Sequence, residues 1–216
     1  MNIILFGPPG AGKGTQASYL VREFKLHKVS TGDLLREEIN NNTTLGNKIK
    51  SKIDKGFLAS DDILKNLIEK FLLNNKANNR LIFDGYPRNL NQAKELEFLL
   101  KKNNQKISCV LSLNVDKESI TKRILGRQIC SKCRKIFNEY FNPPTKENHN
   151  CNSKFLLKRS DDNEATIINR FETYLNETLP ILNFYKERNL LQEINGMAKI
   201  DDISKEIRAI IISIDT

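Results

Sequence analysis

The sequence lacks any apolar segment long enough to cross a membrane. None of its apolar runs approaches the roughly 20 residues that a membrane-spanning helix requires. The N-terminal stretch NIILFG is also too short for the core of a signal peptide, since proline and glycine follow it at once. The sequence also has no long apolar surface helix that would suggest a partner subunit. We therefore expect a cytoplasmic protein that has no membrane partner and works as a monomer.

Internal repeats, low-complexity segments and long blocks of one charge are also missing. The 216-residue chain has 35 Lys and Arg against 26 Asp and Glu, a net charge of +9, but its basic residues are spread along the chain. Such an excess suits either a nucleic acid or a small polyanion. Because there is neither a basic tail nor a series of aromatic residues for stacking bases, we expect no nucleic acid partner.

The sequence does contain a regular alternation of short apolar runs with longer helical patterns. Strands are predicted at Asn2–Phe6, Lys28–Ser30, Leu81–Phe83, Ile107–Asn114 and Leu191–Ile194. Helices are predicted at Lys13–Phe24, Asp33–Asn40, Asn47–Lys55, Asp61–Leu73, Leu90–Lys102, Lys117–Leu125, Asp162–Lys186 and Ile203–Ile212. The alternation predicts an α/β fold, with a doubly wound parallel sheet of five strands and right-handed crossovers.

Two stretches interrupt the alternation. From Ser30 to about Asp61 there are helical patterns without a strong strand, and from Gly126 to Asp162 there are turn residues and cysteines with little helical period. Both are interpreted as insertions carried by the sheet. A long irregular insertion such as the second is typical of a functional lid or of a disordered segment.

The loop GPPGAGKGT, residues 7–15, nearly fits the phosphate-binding pattern G-x-x-x-x-G-K-[ST]. Its glycines allow backbone N–H groups to approach phosphate oxygens at the start of a helix, and Lys13 adds a positive charge. Gly14 replaces the usual Ser or Thr, which leaves Thr15 as the nearby hydroxyl for Mg²⁺. Because a strand precedes the loop and a helical pattern follows it, we predict a nucleotide site rather than a glycine-rich turn without a ligand.

Further polar residues lie near the end of a predicted strand in LIFDGYPRN. Asp84 ends the strand, where ligands of open α/β sheets bind, and its carboxylate suits Mg²⁺ or the waters around it. Gly85 and Pro87 make a turn that directs Arg88 into the same crevice, and Gln92 shares a helix face with Arg88. Asp84 alone could simply form a turn, and Arg88 alone could be a surface charge. Together they predict a functional site.

The stretch STGDLLREE adds a second group of polar residues. Thr31 can cap a helix with Asp33 in its first turn, and Arg36 lies close enough to reach a phosphate. A solvated arginine is the alternative for this stretch alone.

Arginines flank the second insertion. Arg123 and Arg127 share one helix face before it, and Arg159 and Arg170 follow it. The pair Asp161–Asp162 is a candidate cap for the next helix. Phosphoryl transfer requires such a set of arginines, because the charge spread over the transferring group must be neutralised away from water.

The four cysteines fall into two groups. Cys109 lies in the apolar run ISCVLSLNV and is predicted to be a buried structural thiol. The motif CSKC, from Cys130 to Cys133, is followed by Cys151 and has the spacing of a Zn²⁺ site. The alternative is a set of free thiols in a polar loop. Such a metal would be structural, because a small insertion lacks a core of its own.

Six motifs together resemble the adenylate kinase family, in its bacterial type with a long lid and in the zinc-lid variant of that type. They are GPPGAGKGTQA, STGDLLR, DGYPRNLNQA, RILGR, FNPP and RSDDNEATIINR, in order from Met1 to about Gly196. A glycine after the loop lysine is usual in that family. The resemblance implies a P-loop NTPase fold and reversible phosphoryl transfer with Mg²⁺, ATP + AMP = 2 ADP, for adenine nucleotide homeostasis and salvage. It implies a core (1–29, 60–125 and 163–216), an AMP-binding segment (30–59) and a lid (126–162).

The resemblance also implies roles for individual residues. The catalytic residues would be Lys13, Arg88, Arg127, Arg159 and Arg170. ATP would be bound by Gly10, Ala11, Gly12, Lys13, Gly14, Thr15, Arg123, Arg127, Ile136, Phe137 and Ala198. AMP would be bound by Thr31, Arg36, Phe57, Leu58, Ala59, Gly85, Tyr86, Pro87, Arg88, Gln92, Arg159 and Arg170. Asp84 would hold Mg²⁺ through water.

The lid departs from the family pattern at one metal ligand. Related lids end in Cys-x-x-Cys or Cys-x-x-Asp, whereas HNCNSKF has Lys154 at that place. His149, two residues before Cys151, is the candidate fourth ligand and would complete a Cys3His site. A water molecule is an alternative, and Asn150 or Asn152 would be poor ligands.

Three other functions stay open at this point. A kinase specific for CMP or UMP would use the same phosphate loop and arginines. A nucleotide-dependent nucleic-acid-binding protein would use the positive charge and a zinc ribbon. A regulatory P-loop switch would hydrolyse its nucleotide without an acceptor.

Overall fold

The computed structural model describes residues 1–55, 57, 59–74 and 80–215. Its strands are β1 (Asn2–Phe6), β2 (His27–Ser30), β3 (Leu81–Asp84), β4 (Cys109–Asn114), β5 (Arg127–Cys130), β6 (Ile136–Asn138), β7 (Leu156–Leu157) and β8 (Leu191–Asn195). Its α-helices are α1 (Lys13–Phe24), α2 (Thr31–Asn40), α3 (Thr44–Asp54), α4 (Asp61–Asn74), α5 (Leu90–Lys102), α6 (Lys117–Leu125), α7 (Glu164–Thr173), α8 (Ile181–Lys186) and α9 (Ile200–Asp215). Within these ranges, none of the helices has the length and apolar character needed to span a bilayer.

Five parallel strands form the central sheet, in the order β2-β3-β1-β4-β8. The strand β1 shows why the apolar run predicts this position, since all five of its residues are buried. Ile4 and Phe6 pack into the core cluster that includes α4, α5 and α8, and Ile3 and Leu5 pack into the cluster that includes α1 and α9. Alternate side chains of a strand face opposite sides of a sheet, so both sides need covering. The predicted doubly wound α/β fold is confirmed.

The two predicted insertions have different structures. In the first, α2 and α3 pack as a helical pair, and a Cβ on Gly46 would lie only 2.0 Å from the carbonyl oxygen of Glu38. The second contains a three-stranded antiparallel sheet in the order β6-β5-β7. The sequence did not predict this small sheet, because strands of four, three and two residues leave almost no alternating pattern.

The helix predicted at Asp162–Lys186 is not continuous. It consists of α7 and α8, separated by a π-helical turn at Tyr174–Thr178 and by Pro180 at the start of α8. Proline lacks the N–H that a continuous helix needs and clashes with the preceding turn. The interruption therefore follows from Pro180, which lies within an otherwise continuous helical pattern in the sequence.

Both predicted helix caps are wrong. Ser30, rather than Thr31, caps α2 by accepting a hydrogen bond from the backbone N–H of Asp33. Asn163, rather than the pair Asp161–Asp162, caps α7 by accepting from the N–H of Thr166. All of these residue types can cap a helix, so their order along the chain does not decide which one does. Thr31 and Asp161 instead line a small pocket beside the cavity described next.

Candidate functional site

One large cavity, of about 1540 Å³, lies at the carboxyl ends of the central strands. The phosphate loop forms its floor, α2 and α7 line one side, and the insertion at 126–162 covers it. This is the edge of an open α/β sheet where ligands bind. Lys13, Arg36, Arg88, Arg123, Arg127, Arg159 and Arg170 all line it. The structure therefore brings the predicted cationic residues together around one space.

The phosphate loop is held in shape by its own glycines and lysine. Gly7 and Gly10 have positive φ, and a Cβ at either would lie within 3.0 Å of another atom, the carbonyl oxygen of Leu113 or Cγ1 of Ile124. Lys13 Nζ donates to the carbonyl oxygens of Gly7 at 2.7 Å and Pro8 at 2.8 Å. Only glycine fits where the backbone is both left-handed and crowded.

Burial sets the protonation of Lys13. It lowers the pKa of this ammonium group to about 7, against the attraction of Asp84, and the nearby guanidinium groups of Arg88, Arg170 and Arg127 lower it further. A cation in this position lacks enough negative charge around it. The loop is thus prepared for an anion.

The structure explains why glycine occupies position 14, where the general phosphate-loop pattern has Ser or Thr. A Cβ at this position would lie 3.1 Å from Cδ1 of Ile136 on β6 and 3.7 Å from Oδ2 of Asp84. The insertion therefore rests directly on the start of α1. A larger residue would hold Ile136, a predicted ATP contact, away from the loop.

Arg88 is positioned by the turn that follows β3. Its Nε donates to the carbonyl oxygen of Gly85 at 2.8 Å, and its backbone N–H donates to Oε1 of Gln92 at 2.8 Å. Burial, and then the repulsion of Arg170, lower the pKa of Arg88 to about 10. It stays charged at neutral pH while losing solvation, as a group that awaits a phosphate would.

The other predicted AMP contacts divide between the cavity and the core. Thr31 Oγ1 donates to the carbonyl oxygen of Gly85 at 2.9 Å, which ties α2 to the turn after β3. Thr31, Phe57 and Ala59 line a smaller pocket beside the main cavity. Tyr86, joined to Pro87 by a cis peptide bond, is 1% exposed and packs in the core. Leu58 lies outside the described residues.

Gln92 does not line the cavity. Its Nε2 donates to Oδ1 of Asp61 at 2.7 Å, and its side chain is among the buried polar groups. Its contact with the backbone of Arg88 supports the turn.

The arginines at the edges of the second insertion are held by the aspartates that the sequence assigns to capping. Arg127 forms two hydrogen bonds to Asp162, with Nε 2.8 Å from Oδ2. Arg170 Nη1 donates to Oδ2 of Asp161 at 2.9 Å. Arg159 Nε is buried and has no hydrogen-bond partner in the described part of the chain. Two of the arginines therefore have carboxylate partners, while a donor of the third is free for a ligand.

Arg123, which also lines the cavity, joins the phosphate loop to the connection after β8. Its Nη2 donates to the carbonyl oxygen of Gly196 at 2.9 Å and its Nη1 to that of Ala11 at 3.4 Å. The guanidinium carbon lies 5.5 Å from the ring centre of Phe141. Ala198 lines the cavity nearby. These flat and apolar surfaces suit an aromatic base.

Sequence reasoning missed Lys28. Its Nζ lies 3.2 Å from Oδ2 of Asp84 and 3.3 Å from Oδ2 of Asp33, within the same cavity. The available signal was its place on β2, two residues before Ser30, because alternate residues of a strand share a face.

The predicted metal ligands form one cluster in the insertion. Donor atoms of Cys130, Cys133, His149 and Cys151 all lie within 4.8 Å of one another. His149 Nε2 is buried without a hydrogen-bond partner. A buried imidazole nitrogen facing three thiols is the donor set that Zn²⁺ prefers. The cluster fits a structural metal site and supports His149 over the alternative fourth ligands.

Local contacts favour a thiolate in this cluster. Although burial raises the pKa of Cys130, the backbone N–H of Cys133 and the nearby imidazole of His149 lower it overall. The N–H of Cys133 lies 3.4 Å from Sγ of Cys130. Burial and the two neighbouring sulfurs raise the pKa of Cys151. A bound cation would relieve this crowding of sulfurs.

Comparison with known proteins agrees with the geometry. Residues 5–190 match the family model described as adenylate kinase. The chain is 47% identical over 211 residues to an adenylate kinase of Pelagibacter ubique, covering 98% of this chain and 99% of that protein. It is 41% identical over 207 residues to an adenylate kinase of Fusobacterium nucleatum, covering 96% of each. An adenylate kinase of Methanocella arvoryzae is 39% identical over 213 residues, covering 98% of each.

Proposed function

Because this chain belongs to the adenylate kinase family and converts ATP and AMP into two molecules of ADP, we propose that five cations around its cavity carry out the transfer. They are Lys13, Arg88, Arg127, Arg159 and Arg170. The observation that carries the proposal is their convergence on one cavity at the strand ends. Their charges would neutralise the oxygens of the transferring group, which is the main requirement of phosphoryl transfer.

The ATP end of the cavity is proposed at the phosphate loop. Residues 10–15 would hold the phosphates through backbone N–H groups and the ammonium group of Lys13. Arg123 and the backbone of Ala198 would contact the adenine, and Ile136 and Phe137 would cover the nucleotide from the insertion. Arg127 would exchange its partner Asp162 for a phosphate.

The AMP end is proposed between α2 and the turn after β3. Arg36 and Arg88 would bind the AMP phosphate, while Thr31, Gly85 and the backbone of residues 57–59 would hold the nucleoside. Tyr86 and Pro87 would act through the shape of the turn, and Gln92 through its contact with Arg88. Arg159 and Arg170 would bridge the two phosphate groups.

The chemistry needs alignment more than a reactive side chain. The acceptor is the phosphate of AMP, which is already anionic, so neither a covalent nucleophile nor a strong general base is required. The segments 30–59 and 126–162 enclose the cavity and would exclude the water that otherwise hydrolyses ATP. We further propose that their opening limits turnover.

Mg²⁺ is proposed at the acidic end of the same cavity. Asp84 and Asp33 direct carboxylate oxygens towards one shared cation, Lys28, which fits a position for a hard divalent ion or its waters. When bound, Mg²⁺ supplies positive charge to the phosphates of ATP. Asp84 and the hydroxyl of Thr15 would orient its water ligands.

Phosphorus NMR of ATP mixed with AMP, CMP, UMP or no acceptor tests the function. We expect ADP to form with AMP, and little turnover with CMP, UMP or water alone. Faster transfer to CMP or UMP would identify a different monophosphate kinase. Release of inorganic phosphate without an acceptor would identify a switch. Tight and salt-sensitive binding to DNA or RNA in a gel-shift assay would support the nucleic-acid alternative.

We propose that Cys130, Cys133, Cys151 and His149 hold a structural Zn²⁺ that stabilises the lid. Replacing Cys130 by Ser should remove the metal and lower the melting temperature, while activity at moderate temperature changes little. The control is Cys109→Ala, which alters a core thiol outside the cluster and should keep the metal. Elemental analysis and thermal melting are the measurements. A wild-type protein that contains no zinc, and that melts at the same temperature after chelation, would refute the proposal.

The division into core (1–29, 60–125 and 163–216), AMP-binding segment (30–59) and lid (126–162) is part of the proposal. So are the cytoplasmic location and the monomeric state. Free thiols at Cys130, Cys133 and Cys151 suit a reducing compartment. Light scattering after gel filtration tests the monomer, for which we expect a mass close to 24.8 kDa.

A further inference from the structure

Lys28 lies between two carboxylates that belong to different elements. Asp84 ends β3 and Asp33 lies in the first turn of α2, and both are within 3.3 Å of Lys28 Nζ. The side chain of Lys28 is 25% exposed and that of Asp84 is 13% exposed. The Lys28–Asp84 pair is therefore screened less than an ion pair on an open surface, whereas the side chain of Asp33 is 51% exposed and its pair is screened more.

The neighbouring strands place the lysine there. Lys28 pairs with Ile82 and Ser30 pairs with Asp84 in the register of β2 and β3. Lys28 and Ser30 share a face, so the four-carbon stem runs along the strand towards the end where Asp84 lies. Asp84 in turn lies next to the phosphate loop at Gly14. The ammonium group is therefore close to where phosphates would bind.

Lys28 remains charged in this position. Burial disfavours its ammonium group, but the carboxylates of Asp84 and Asp33 outweigh that effect, and the pKa of Lys28 is raised. Asp33 has a second partner in Arg36, at 2.6 Å. Among the ion pairs of the described residues, Asp84 has Lys28 as its partner. Removing the lysine would thus expose mainly the charge of Asp84.

We propose that Lys28 is a positioning residue of the magnesium site, which holds Asp84 and Asp33 in place and keeps a free divalent ion out until a nucleotide brings its own. The proposal rests on the assignment of Asp84 to Mg²⁺ in the proposed function. A cation already between the carboxylates repels a second one, whereas incoming phosphates add the negative charge that restores metal affinity.

Binding of Mn²⁺ to the nucleotide-free protein, followed by the EPR signal of the unbound ion, tests this directly. Lys28→Met keeps the stem and removes the charge, and should raise Mn²⁺ affinity by about tenfold or more, since close charges interact strongly where water is partly excluded. Lys28→Arg keeps the charge and should bind Mn²⁺ as the wild type does. The matched control is Lys65→Met, which removes a lysine paired with Glu95 outside the cavity, and it should also match the wild type.

A double variant tests whether the additional Mn²⁺ binding in Lys28→Met occurs at Asp84. Lys28→Met combined with Asp84→Asn should lose the gain in Mn²⁺ affinity. Wild-type affinity in a folded Lys28→Met protein overturns the proposal, as does an equal gain in Lys28→Arg. Circular dichroism checks folding, and Lys28→Gln, with the same expected gain, replaces the Met variant if that variant does not fold.

The single variant Asp84→Asn separates this inference from the proposed function. If Asp84→Asn keeps the full Mg²⁺-dependent activity, the assignment of Asp84 itself fails. If that variant is impaired while Lys28→Met shows wild-type Mn²⁺ affinity, only the role of Lys28 is refuted.

Discussion

At the scale of single residues, Arg88 illustrates how the site is ordered in the absence of a nucleotide. Its guanidinium group is fixed to the carbonyl of Gly85, and its backbone is fixed to Gln92. The free-energy cost of desolvating and fixing this guanidinium group is therefore incurred when the protein folds and not when the nucleotide binds. A preorganised charge of this kind stabilises developing negative charge without further rearrangement.

We expect Arg88→Met to lower kcat by about 10² to 10³-fold, because methionine keeps most of the volume and removes the charge. Steady-state kinetics with ATP and AMP would measure the change. Arg208→Met is the control, since Arg208 pairs with Glu23 on the surface and should leave kcat unchanged. A kcat within a factor of about two of the wild type in Arg88→Met would contradict the role, since a lost transition-state contact costs far more.

Lys13 gives a prediction about pH. Its pKa of about 7 in the nucleotide-free protein means that much of it is neutral at pH 8, and bound phosphates should restore its charge. Nucleotide binding at pH 8 should take up as much as about one proton, and affinity should fall as the pH rises through 7. Calorimetry in two buffers with different ionisation enthalpies measures the uptake. Binding heats that do not depend on the buffer at pH 8 would contradict it, and Lys13→Met should abolish the uptake.

At the scale of elements, the pair α2 and α3 depends on a close backbone contact. The backbone of α2 at Glu38 and Ile39 passes over Gly46, where a Cβ would be 2.0 and 2.8 Å from their atoms. Thr43 caps α3 and also contacts Glu38, so the same junction is held by side chains. The pair presents Arg36 to the cavity through this packing.

We expect Gly46→Ala to destabilise the protein by about 1–3 kcal/mol, because the added methyl group must push the two helices apart. The KM for AMP should rise more than the KM for ATP, since the segment 30–59 is proposed to bind AMP. Lys48→Ala, at an exposed position of the same helix, is the matched control. Denaturant unfolding and kinetics with each nucleotide varied measure both effects. A free energy of unfolding that is the same in Gly46→Ala and in the wild type would contradict the proposed close packing of α2 and α3.

At the scale of the whole molecule, residues of both insertions line one cavity. Ile136 of the lid rests on Gly14, and Asn169 on α7 donates to the carbonyl oxygen of Lys55, just beyond α3. The ion pairs of Arg127 and Arg170 with the aspartates lie at the junction of lid and core. The enclosed cavity and its charge are therefore properties of the assembled chain, because the contacts of Ile136 and of Asn169 join parts of the chain that are far apart in sequence.

These ion pairs predict how stability depends on pH. Although burial raises the pKa of Asp161, Arg170 and its neighbours lower it below the ordinary value of 3.8, and Lys28 and Arg36 do the same for Asp33. Such carboxylates contribute stability that is complete above the unfolded pKa of 3.8 and is lost as the pH falls from there through the lower folded pKa, because over that range the unfolded chain binds more protons. The melting temperature should therefore fall below about pH 4. Calorimetry between pH 7 and pH 3 should show a smaller fall in Asp161→Asn, and an unchanged fall would contradict the assignment.

The fold class and the phosphate loop could be predicted from the order of residues alone. A buried strand, a glycine-rich loop and a helix follow one another within residues 2–24, and their periods and spacing are local. The cluster that fits a metal site could also be predicted, since Cys130, Cys133, His149 and Cys151 lie within one insertion of limited length. Local order along a chain is what a sequence records directly.

Which charged side chains become neighbours depended on the folding of the whole chain. Asp162 pairs with Arg127, 35 residues earlier, and Lys28 pairs with Asp84, 56 residues later, although a solvated surface or a helix cap explains each residue equally well from sequence. The lid sheet and the break between α7 and α8 also depend on contacts across the fold. Pairing over such distances is set by packing of the sheet and its insertions, because no periodic pattern in a sequence encodes which distant side chains will be neighbours.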